Sequence, residues 1–455
     1  MAFVSINPTT GETLGTYPEH TDLEVDRKLD AADAAQRLWA QEPLERRAEL
    51  LRGVAAALRR RADGLARLMA LEMGKPLAQG VSEVEKCAWV CEHYADHGAE
   101  ALAPVEIPTD PRRSAVHFRP MGLILAVMPW NFPFWQVFRF LAPALLAGNG
   151  GVLKHAPSVP GCADAIVDML RGAGFPPDLF PNLRIPPERV QRVLGHPKVR
   201  AATLTGSTAA GRAVAAQAGE RLKKTVLELG GSDPYLVLAD ADVEAAARIC
   251  ATSRLLNSGQ SCIAAKRLVV VESVRGEFEA RFVAHMAAAV VGDPLDPGVE
   301  VGPMARRDLR DGLHRQVLRS LEGGARCLLG GQPPEGPGAF YPPTVLTDVG
   351  PGTPAYGEEL FGPVAAVLPV RDEAEAIRVA NDSPYGLGAA VFTRDLERGE
   401  RIASEELDAG CCCVNGLVQS DPRLPFGGVK DSGYGRELGQ FGIREFVNVK
   451  TVSVA

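Results

Sequence analysis

The sequence predicts an α/β fold built on largely parallel sheets. From about residue 121, short apolar runs alternate with helical stretches, and residues 122–128, 201–204 and 235–238 are examples of such runs. Each run is bounded by Gly, Pro, Asn or Ser, which is typical of a strand between turns. Because consecutive positions are apolar, we expect these strands to be buried on both faces. The length of 455 residues favours two or more subdomains.

The first hundred residues are predicted to be helical. Thr21 with Glu24, and Ser82 with Glu85, have the spacing of a capping box, so each pair predicts the start of a helix. Between them, Gly74 with a proline two residues later predicts the end of a helix.

Two further segments are predicted to be β structure. Residues 104–120 are strand-like around a charged turn, and residues 446–454 alternate apolar and polar side chains as a half-buried strand does. A terminal strand of this kind is expected to pair with another element or another subunit.

Composition and charge exclude several classes of protein. A net charge of -7 argues against nucleic acid as a partner, because phosphate binding requires a basic face. The longest apolar runs, 122–130 and 138–147, are too short to span a bilayer, and no signal peptide or membrane partner is predicted. The odd number of cysteines, nine, predicts a reducing, cytoplasmic location.

Cys262 is the candidate nucleophile among these cysteines. It follows the polar, glycine-containing turn 257–261, which would expose a thiol and aim backbone N–H groups at the atom under attack. Most other cysteines lie among apolar neighbours and are interpreted as core residues. The adjacent cysteines 411–413 cannot converge on one ion, so no metal site is predicted.

Two polar residues offer complementary chemistry. Glu228 ends an apolar strand and precedes two glycines, and burial there would raise its pKa toward the range of a general base. Asn131 lies in a turn between two prolines, where a fixed amide can donate to an oxyanion. Taken singly, Glu228 could face solvent and Asn131 could only support the turn.

A strand, a glycine-rich turn and a helix follow one another at residues 204–212. Gly206, Ser207 and Gly211 lie in this segment, whose helix N-terminus could receive a phosphate. The segment is neither GxGxxG nor a P-loop, because Arg212 stands where a P-loop has lysine.

Seven short motifs occur in one order along essentially the whole chain. Each is weak to moderate alone, but in series they resemble the aldehyde dehydrogenase superfamily, and within it the bacterial succinate-semialdehyde dehydrogenases of the short type. The motifs are Pro129-Trp130-Asn131-Phe132-Pro133, Leu153-Lys154, Gly206-Ser207-Thr208 with Gly211, Glu228-Leu229-Gly230-Gly231, Gly259-Gln260-Ser261-Cys262, Glu358-Glu359-Leu360-Phe361-Gly362-Pro363 and Pro425-Phe426-Gly427-Gly428.

The resemblance implies an aldehyde dehydrogenase-like fold with two parallel-sheet, Rossmann-like domains and a small β flap used in oligomerisation. Residues 1–103 and 121–229 would form the dinucleotide-binding domain and 230–425 the catalytic domain. Residues 104–120 and 426–455 would form the flap. A homodimer or homotetramer is expected.

The resemblance also implies the chemistry. Cys262 would attack the aldehyde as a thiolate, and the amide of Asn131 with the backbone N–H of Cys262 would hold the oxyanion. Hydride transfer to NAD or NADP would leave a thioester, which a water activated by Glu228 would hydrolyse. Lys154 belongs to both the catalytic and the cofactor-binding sets and would approach the adenosine ribose. The other implied cofactor residues are Trp130, Asn131, Pro157, Gly206, Ser207, Gly211, Leu229, Glu359 and Phe361.

The implied cofactor preference is open. Many family members that prefer NAD carry a glutamate three residues after the lysine, and NADP users often carry a small residue such as serine. Here the position is Pro157, which neither grips the ribose hydroxyls nor repels a 2′-phosphate. Use of both cofactors is therefore expected.

The sequence determines the substrate-binding residues less than the catalytic and cofactor-binding residues. Arg139 lies where related semialdehyde enzymes place a carboxylate-binding arginine, and a guanidinium can bind a carboxylate through two hydrogen bonds. A structural salt bridge is an equally good interpretation of Arg139. Leu256 replaces a second expected arginine, so Arg254 could substitute, and Ser420 could be a third contact.

Three alternatives stay open at this point. The chain could oxidise another small aliphatic or hydroxylated aldehyde, which would change only the funnel. It could be a non-catalytic binding or structural member of the fold, although Cys262, Glu228 and Asn131 are all present. A coenzyme-A-acylating enzyme is disfavoured, because such an enzyme needs no hydrolytic base at Glu228.

Overall fold

The structure is a computed structural model that describes residues 2–455. The strands are β1 (Ala2–Ile6), β2 (Thr13–Pro18), β3 (Val105–Glu106), β4 (Arg113–Pro120), β5 (Leu123–Val127), β6 (Gly150–Lys154), β7 (Val199–Thr205), β8 (Lys224–Glu228), β9 (Pro234–Val237), β10 (Arg267–Val271), β11 (Arg326–Leu329), β12 (Thr344–Thr347), β13 (Val364–Val370), β14 (Tyr385–Gly386), β15 (Gly388–Phe392), β16 (Cys411–Val414), β17 (Val429–Lys430), β18 (Gly433–Tyr434) and β19 (Val447–Val454). The helices are α1 (Asp22–Trp39), α2 (Leu44–Arg60), α3 (Ala62–Met73), α4 (Leu77–Leu102), α5 (Trp135–Leu146), α6 (Pro160–Gly172), α7 (Val190–Gly195), α8 (Thr208–Gly219), α9 (Val243–Leu255), α10 (Glu272–Ala288), α11 (Arg307–Glu322), α12 (Pro354–Gly357), α13 (Glu373–Asn381), α14 (Leu396–Arg401) and α15 (Gly439–Glu445).

The first large sheet has the strand order β18-β8-β7-β5-β6. Its four longer strands pair in parallel, and only the short β18 runs antiparallel to β8. The strands β5 and β6 are almost wholly buried, as their consecutive apolar residues predict. The parallel register brings the carboxyl ends of β6, β7 and β8 to one edge, where ligands bind in sheets of this kind.

The second large sheet has the order β11-β12-β13-β10-β9-β15-β16. All of its pairs are parallel except β11 with β12. Helices α9 and α10 pack against one another beside this sheet. The two sheets confirm the predicted α/β class with largely parallel pairing.

The third sheet has the order β19-β4-β3 and is entirely antiparallel. The terminal strand β19 pairs along its full length with β4, as expected for the 104–120 and 446–454 segments. The predicted flap boundary differs in one respect. Residues 426–446 do not join this sheet, because β18 pairs with β8 and α15 packs on α4.

The N-terminal helices surround the first sheet. Helix α4 packs against α2, α3 and α5, and buried side chains from these helices share one apolar core. The capping box of Thr21 and Glu24 is present at the start of α1. The helix end at Gly74 is also confirmed, since α3 stops at Met73 and Gly74 is left-handed.

One predicted helix start is wrong. Ser82 and Glu85 do not begin a helix, because α4 already begins at Leu77, directly after Pro76. Inside α4 the Ser82 hydroxyl donates instead to the carbonyl of Ala78, four residues earlier. Within residues 2–455, no helix is both long enough and apolar enough to cross a membrane.

Candidate active site

The loop before Cys262 has an uncommon backbone. Asn257, Ser258 and Gly259 have positive φ angles of 56°, 54° and 73°, so three consecutive residues are left-handed. A Cβ at Gly259 would lie 2.3 Å from the carbonyl carbon of Gly362, which leaves room only for glycine. The loop thus turns sharply between α9 and β10 and presents Cys262 half-buried.

The environment of Cys262 contains one neighbouring cation that binds its backbone. The Lys266 ammonium donates to the carbonyls of Ser261 and Cys262 at 2.9 and 2.6 Å. Burial raises the pKa of the Cys262 thiol to about 12, while the positive charges of Lys266 and Arg139 lower it. Burial therefore opposes the thiolate form of Cys262, and the two neighbouring cations favour it.

Asn131 is tied to the nucleophile loop. Its side-chain amide donates to the Gln260 carbonyl at 3.1 Å, and the Asn257 amide donates to the Asn131 carbonyl at 2.7 Å. Asn131 is buried, and its amide has a second N–H to offer. The two loops thereby hold a side-chain donor close to the residues that precede Cys262.

Glu228 is a buried carboxyl group without a partner. It ends β8, is 2% exposed, and neither carboxylate oxygen has a hydrogen-bond partner within residues 2–455. Burial raises its pKa well above the usual value, and the charge of Glu437 acts in the same direction, against Arg139. A Cβ at Gly427 would lie 2.8 Å from the carboxylate, so this glycine lets the backbone approach Glu228 closely.

A cavity of about 300 Å³ opens beside the nucleophile. Cys262 lines it together with aromatic and aliphatic side chains, which include Phe132, Trp135, Ile263 and Phe426. A mostly apolar pocket with few polar groups is typical of a small-molecule site. Its charged lining residues are Glu83, Lys86 and Arg139.

Arg139 lines this cavity but has a partner inside the protein. Its guanidinium forms an ion pair with Glu437, donates to the Thr205 hydroxyl at 3.2 Å, and lies over the ring of Phe426. Arg139 is only 2% exposed. The geometry favours the structural interpretation of Arg139 over the expected contact with a substrate carboxylate.

The two other residues expected to contact the substrate, Arg254 and Ser420, differ in their position relative to the cavity. Arg254 is completely buried, where its guanidinium donates to the carbonyls of Gly259 and Ala265. It therefore supports the nucleophile loop from behind and does not line the cavity, so it cannot replace the missing arginine. Ser420 does line the cavity and accepts a hydrogen bond from Lys86 at 2.8 Å.

The glycine-rich turn lies at the carboxyl end of β7, as predicted. Ser207 caps α8, and its hydroxyl accepts from the Ala210 N–H at 3.3 Å. Gly206 donates its N–H to the Glu228 carbonyl, which joins this turn to the end of β8. A Cβ at Gly211 would lie 2.5 Å from the Leu229 side chain, so Gly211 lets α8 approach Leu229.

Lys154 is a buried cation at the end of β6. Burial lowers the pKa of its ammonium to about 8, and the carboxylate of Glu188 opposes this shift. Within residues 2–455 the ammonium has no hydrogen-bond or ion-pair partner, so it fits a role in binding an external oxygen. Pro157 lies three residues further on and is half-buried.

Glu359, Phe361 and Trp130 come together from distant parts of the chain. The Glu359 carboxylate accepts from the Gly231 N–H at 3.1 Å and lies 3.2 Å from the Lys266 ammonium. The rings of Trp130 and Phe361 meet edge to face with centroids 5.8 Å apart. Lys266 thus connects Glu359 with the backbone of Cys262.

Sequence reasoning missed three charged residues of the site. Lys266 lies four residues after the nucleophile, but a lysine before a strand carries no signal of its own. Lys86 lies on α4, far from every motif, and Glu437 belongs to the stretch that was assigned to the flap. Only the packing of distant segments brings Lys86 and Glu437 to the cavity region.

The comparisons with known proteins agree with this geometry. Residues 1–452 match the model of the aldehyde dehydrogenase family, so the chain belongs to that family. Among similar proteins, a probable NADP(+) succinate-semialdehyde dehydrogenase of Synechocystis sp. is 48% identical over 100% of both chains. An NAD(P)+ succinate semialdehyde dehydrogenase of Escherichia coli is 46% identical over 99% of this chain and 97% of its own.

A solved structure shows the same fold. The succinic semialdehyde dehydrogenase of Streptococcus pyogenes, determined in complex with NADP+, superimposes with a TM-score of 0.97 at 36% identity over 100% of both chains. The expected fold class and the expected membership of the aldehyde dehydrogenases are therefore confirmed.

Proposed function

We propose that the protein oxidises succinate semialdehyde to succinate with NADP or NAD as hydride acceptor. The observation that carries this proposal is the half-buried Cys262, which lines a cavity of about 300 Å³ and is linked through Lys266 to Glu359. The names of the full-length relatives from Synechocystis and Escherichia coli support the substrate.

The residues of the chain divide the reaction into two steps. The Cys262 thiolate adds to the aldehyde carbon, and the amide N–H of Asn131 with the backbone N–H of Cys262 stabilises the alkoxide. The nicotinamide cofactor, when bound, accepts the hydride of the former aldehyde C–H, which leaves a thioester on Cys262. Glu228 then takes a proton from water, and the resulting hydroxide adds to the thioester carbon. The C–S bond breaks, which releases the carboxylic acid and regenerates the Cys262 thiolate.

The proposed cofactor site combines Lys154 at the end of β6 with the turn after β7 and with Glu359. We assign the adenosine ribose to Lys154, whose buried ammonium has no partner in the described chain, and the phosphates to the start of α8 at Gly206 and Ser207. Glu359 would bind the nicotinamide ribose. Pro157 supplies neither a carboxylate nor a cation, which supports the use of both cofactors, and the relatives bear NADP(+) and NAD(P)+ in their names.

The decisive experiment measures the formation of reduced cofactor from succinate semialdehyde, with NADP and with NAD in parallel. The Cys262→Ala variant is expected to lose activity, because no other thiol lines the cavity. Cys327→Ala is the matched control, since Cys327 is exposed and does not line the cavity. Full activity in Cys262→Ala would contradict the proposal.

A substrate panel separates the alternatives. A preference for butanal or a hydroxylated aldehyde over succinate semialdehyde would support the second candidate substrate class. Dependence of turnover on coenzyme A would indicate release of an acyl thioester, in which case Glu228 would not be needed as a hydrolytic base.

We further propose that the protein assembles as a homodimer or homotetramer through its third sheet. The strand β19 lies at the edge of that sheet and exposes Val449, Val452 and Val454. An edge strand with exposed apolar residues is suited to pairing with another chain. Light scattering of Val449→Lys, which is expected to reduce the mass of the particle, tests this assignment.

We also propose a cytoplasmic location, on the basis of the nine cysteines, none of which forms a disulfide in residues 2–455. Fractionation of producing cells, followed by activity measurements in each fraction, tests this location.

A further inference from the structure

We infer that Lys86, held by Ser420, binds the distal carboxylate of the substrate and gives the enzyme its preference for an ω-carboxylated aldehyde. This inference rests on the proposed function and names the residue that selects its substrate. Lys86 lies on α4, and both it and Ser420 line the cavity that contains Cys262.

The side chain of Lys86 is fixed at the cavity wall. Its ammonium donates to the Ser420 hydroxyl at 2.8 Å and lies 4.5 Å from the centroid of the Trp135 ring. An ammonium offers three donors, and the hydroxyl uses one, so others can point into the cavity. The Ser420 hydroxyl retains its own proton and could donate to the same carboxylate.

Lys86 is also the one cation of the cavity wall that has no carboxylate partner within the described chain. Arg139 is paired with Glu437, whereas Lys86 takes part in no ion pair among residues 2–455. A half-buried cation that lacks an ion-pair partner is unfavourable in an apolar pocket. An anionic ligand would remove that cost.

The nearby carboxylates are already engaged with other groups. Glu83 pairs with Lys75 and accepts from the N–H groups of Phe134 and Trp135, each at 2.9 Å. Asp421 receives three hydrogen bonds from Arg423, two from the guanidinium at 2.6 and 2.9 Å and one from the backbone N–H at 2.8 Å. Neither carboxylate therefore takes the place that a substrate carboxylate would occupy.

The pKa of Lys86 agrees with the absence of an ion-pair partner in the described chain. Burial lowers the pKa of its ammonium to about 8, and the positive charge of Arg139 acts in the same direction. The negative charges of Asp421 and Glu83 oppose this shift only in part. A bound carboxylate would favour the charged form again. The aliphatic portion of a short semialdehyde would meanwhile lie against the apolar wall, with its aldehyde at Cys262.

The test compares kcat/KM for succinate semialdehyde with kcat/KM for butanal, which lacks the carboxylate. In Lys86→Met, the ratio of the two is expected to fall roughly 10- to 100-fold, mainly through a higher KM for the semialdehyde, because a charge-assisted hydrogen bond is lost. Lys86→Arg is expected to retain most of the ratio. Ser420→Ala is expected to lower the ratio less than Lys86→Met does and more than Lys86→Arg does. Because both side chains bind the same carboxylate, the double variant Lys86→Met with Ser420→Ala is expected to lose less than the sum of the two single effects.

Matched controls separate a local effect from a general one. Lys198→Met removes a half-buried lysine that pairs with Asp30 and does not line the cavity, and the ratio is expected to change less than about twofold. Binding of succinate to the Cys262→Ala protein, measured by calorimetry, gives a readout that needs no turnover. Addition of Lys86→Met to that protein is expected to weaken succinate binding by the same roughly 10- to 100-fold.

The outcomes are distinguishable. If the wild type shows no preference for succinate semialdehyde over butanal, the proposed substrate is wrong. If the wild type has this preference and Lys86→Met keeps it, only the assignment of Lys86 is overturned. If Lys86→Met does not fold, Lys86→Arg and Ser420→Ala provide the test. The inference would be contradicted if the ratio of kcat/KM for succinate semialdehyde to that for butanal were unchanged in Ser420→Ala and lost in Lys86→Arg.

Discussion

At the scale of single residues, the Glu228 carboxyl group is buried and has no hydrogen-bond partner among residues 2–455. A carboxyl group in this position is costly to ionise, which raises its pKa, and such groups are concentrated at functional sites. A raised pKa also suits Glu228 to its proposed role as a general base, which takes up and releases one proton in each catalytic cycle.

The first prediction concerns the thioester. In Glu228→Gln the side chain keeps its volume but cannot accept the proton of water, so we expect a burst of about one equivalent of reduced cofactor followed by slow turnover. Mass spectrometry of the rapidly quenched protein should detect the acyl group on Cys262. Normal steady-state turnover in Glu228→Gln would show that another base hydrolyses the thioester.

The second prediction concerns pH. Because the pKa of Glu228 is higher in the folded than in the unfolded protein, its stabilising contribution is present below the unfolded pKa and is lost as pH rises toward the folded pKa. Urea denaturation should therefore find that the stability of Glu228→Gln relative to the wild type increases as the pH rises above the usual pKa of a glutamate. The rate of thioester hydrolysis should rise with pH in the wild type, as the carboxyl group ionises, and this rise should be absent in the variant.

At the scale of elements, the loop between α9 and β10 decides where the thiol lies. Its three left-handed residues, the bonds from Arg254 to its carbonyls, and the close approach of Gly259 to Gly362 together fix one conformation. Strained backbone of this kind is retained where the surrounding structure imposes it.

Gly259→Ala is predicted to destabilise the protein by about 2 kcal/mol or more and to reduce activity, because a Cβ would have to occupy a left-handed position and overlap Gly362. Gly276→Ala is the control. Gly276 lies on the exposed side of α10 with nothing within 4 Å of its Cβ position, and alanine there should stabilise by about 0.5–1 kcal/mol. Thermal denaturation of both variants measures the two changes in stability. Equal changes in Gly259→Ala and Gly276→Ala would contradict the prediction.

At the scale of the whole molecule, the last thirty residues bind distant parts of the fold together. They pass from β17 to β18 on the first sheet, then through α15 to β19 on the third. The buried ion pair of Arg139 with Glu437, and the bond from Asn149 to the Phe446 carbonyl at 2.9 Å, attach this segment to the first sheet and α5.

Removing one partner of that ion pair should lower the free energy of unfolding more than removing both partners does. Arg139→Met leaves the buried Glu437 unpaired and is expected to cost about 3–5 kcal/mol, whereas Arg139→Met with Glu437→Gln should recover much of this loss. Urea denaturation of the single and double variants measures the difference. If Arg139→Met were instead stable but selectively impaired toward succinate semialdehyde, Arg139 would have the substrate role that its position in the sequence suggested.

The sequence by itself determined the class of the protein and the local elements. Parallel strands, the helix start at Thr21 and the terminal β segment follow from patterns that span a few residues, and the motifs around Cys262 and Glu228 identify the family because their order is preserved along the chain. The left-handed loop was anticipated only as a turn, since its strain depends on Gly362.

Only the tertiary structure decided which charges are already paired. Arg139, Arg254 and Lys86 are equivalent in the sequence as cations. In the structure Arg139 pairs with Glu437, Arg254 donates to backbone carbonyls, and Lys86 at the cavity wall forms no ion pair among residues 2–455. Each difference depends on contacts between residues far apart in the chain, such as Lys86 with Ser420. Local sequence patterns do not encode such contacts, because burial and charge compensation arise only when distant segments pack.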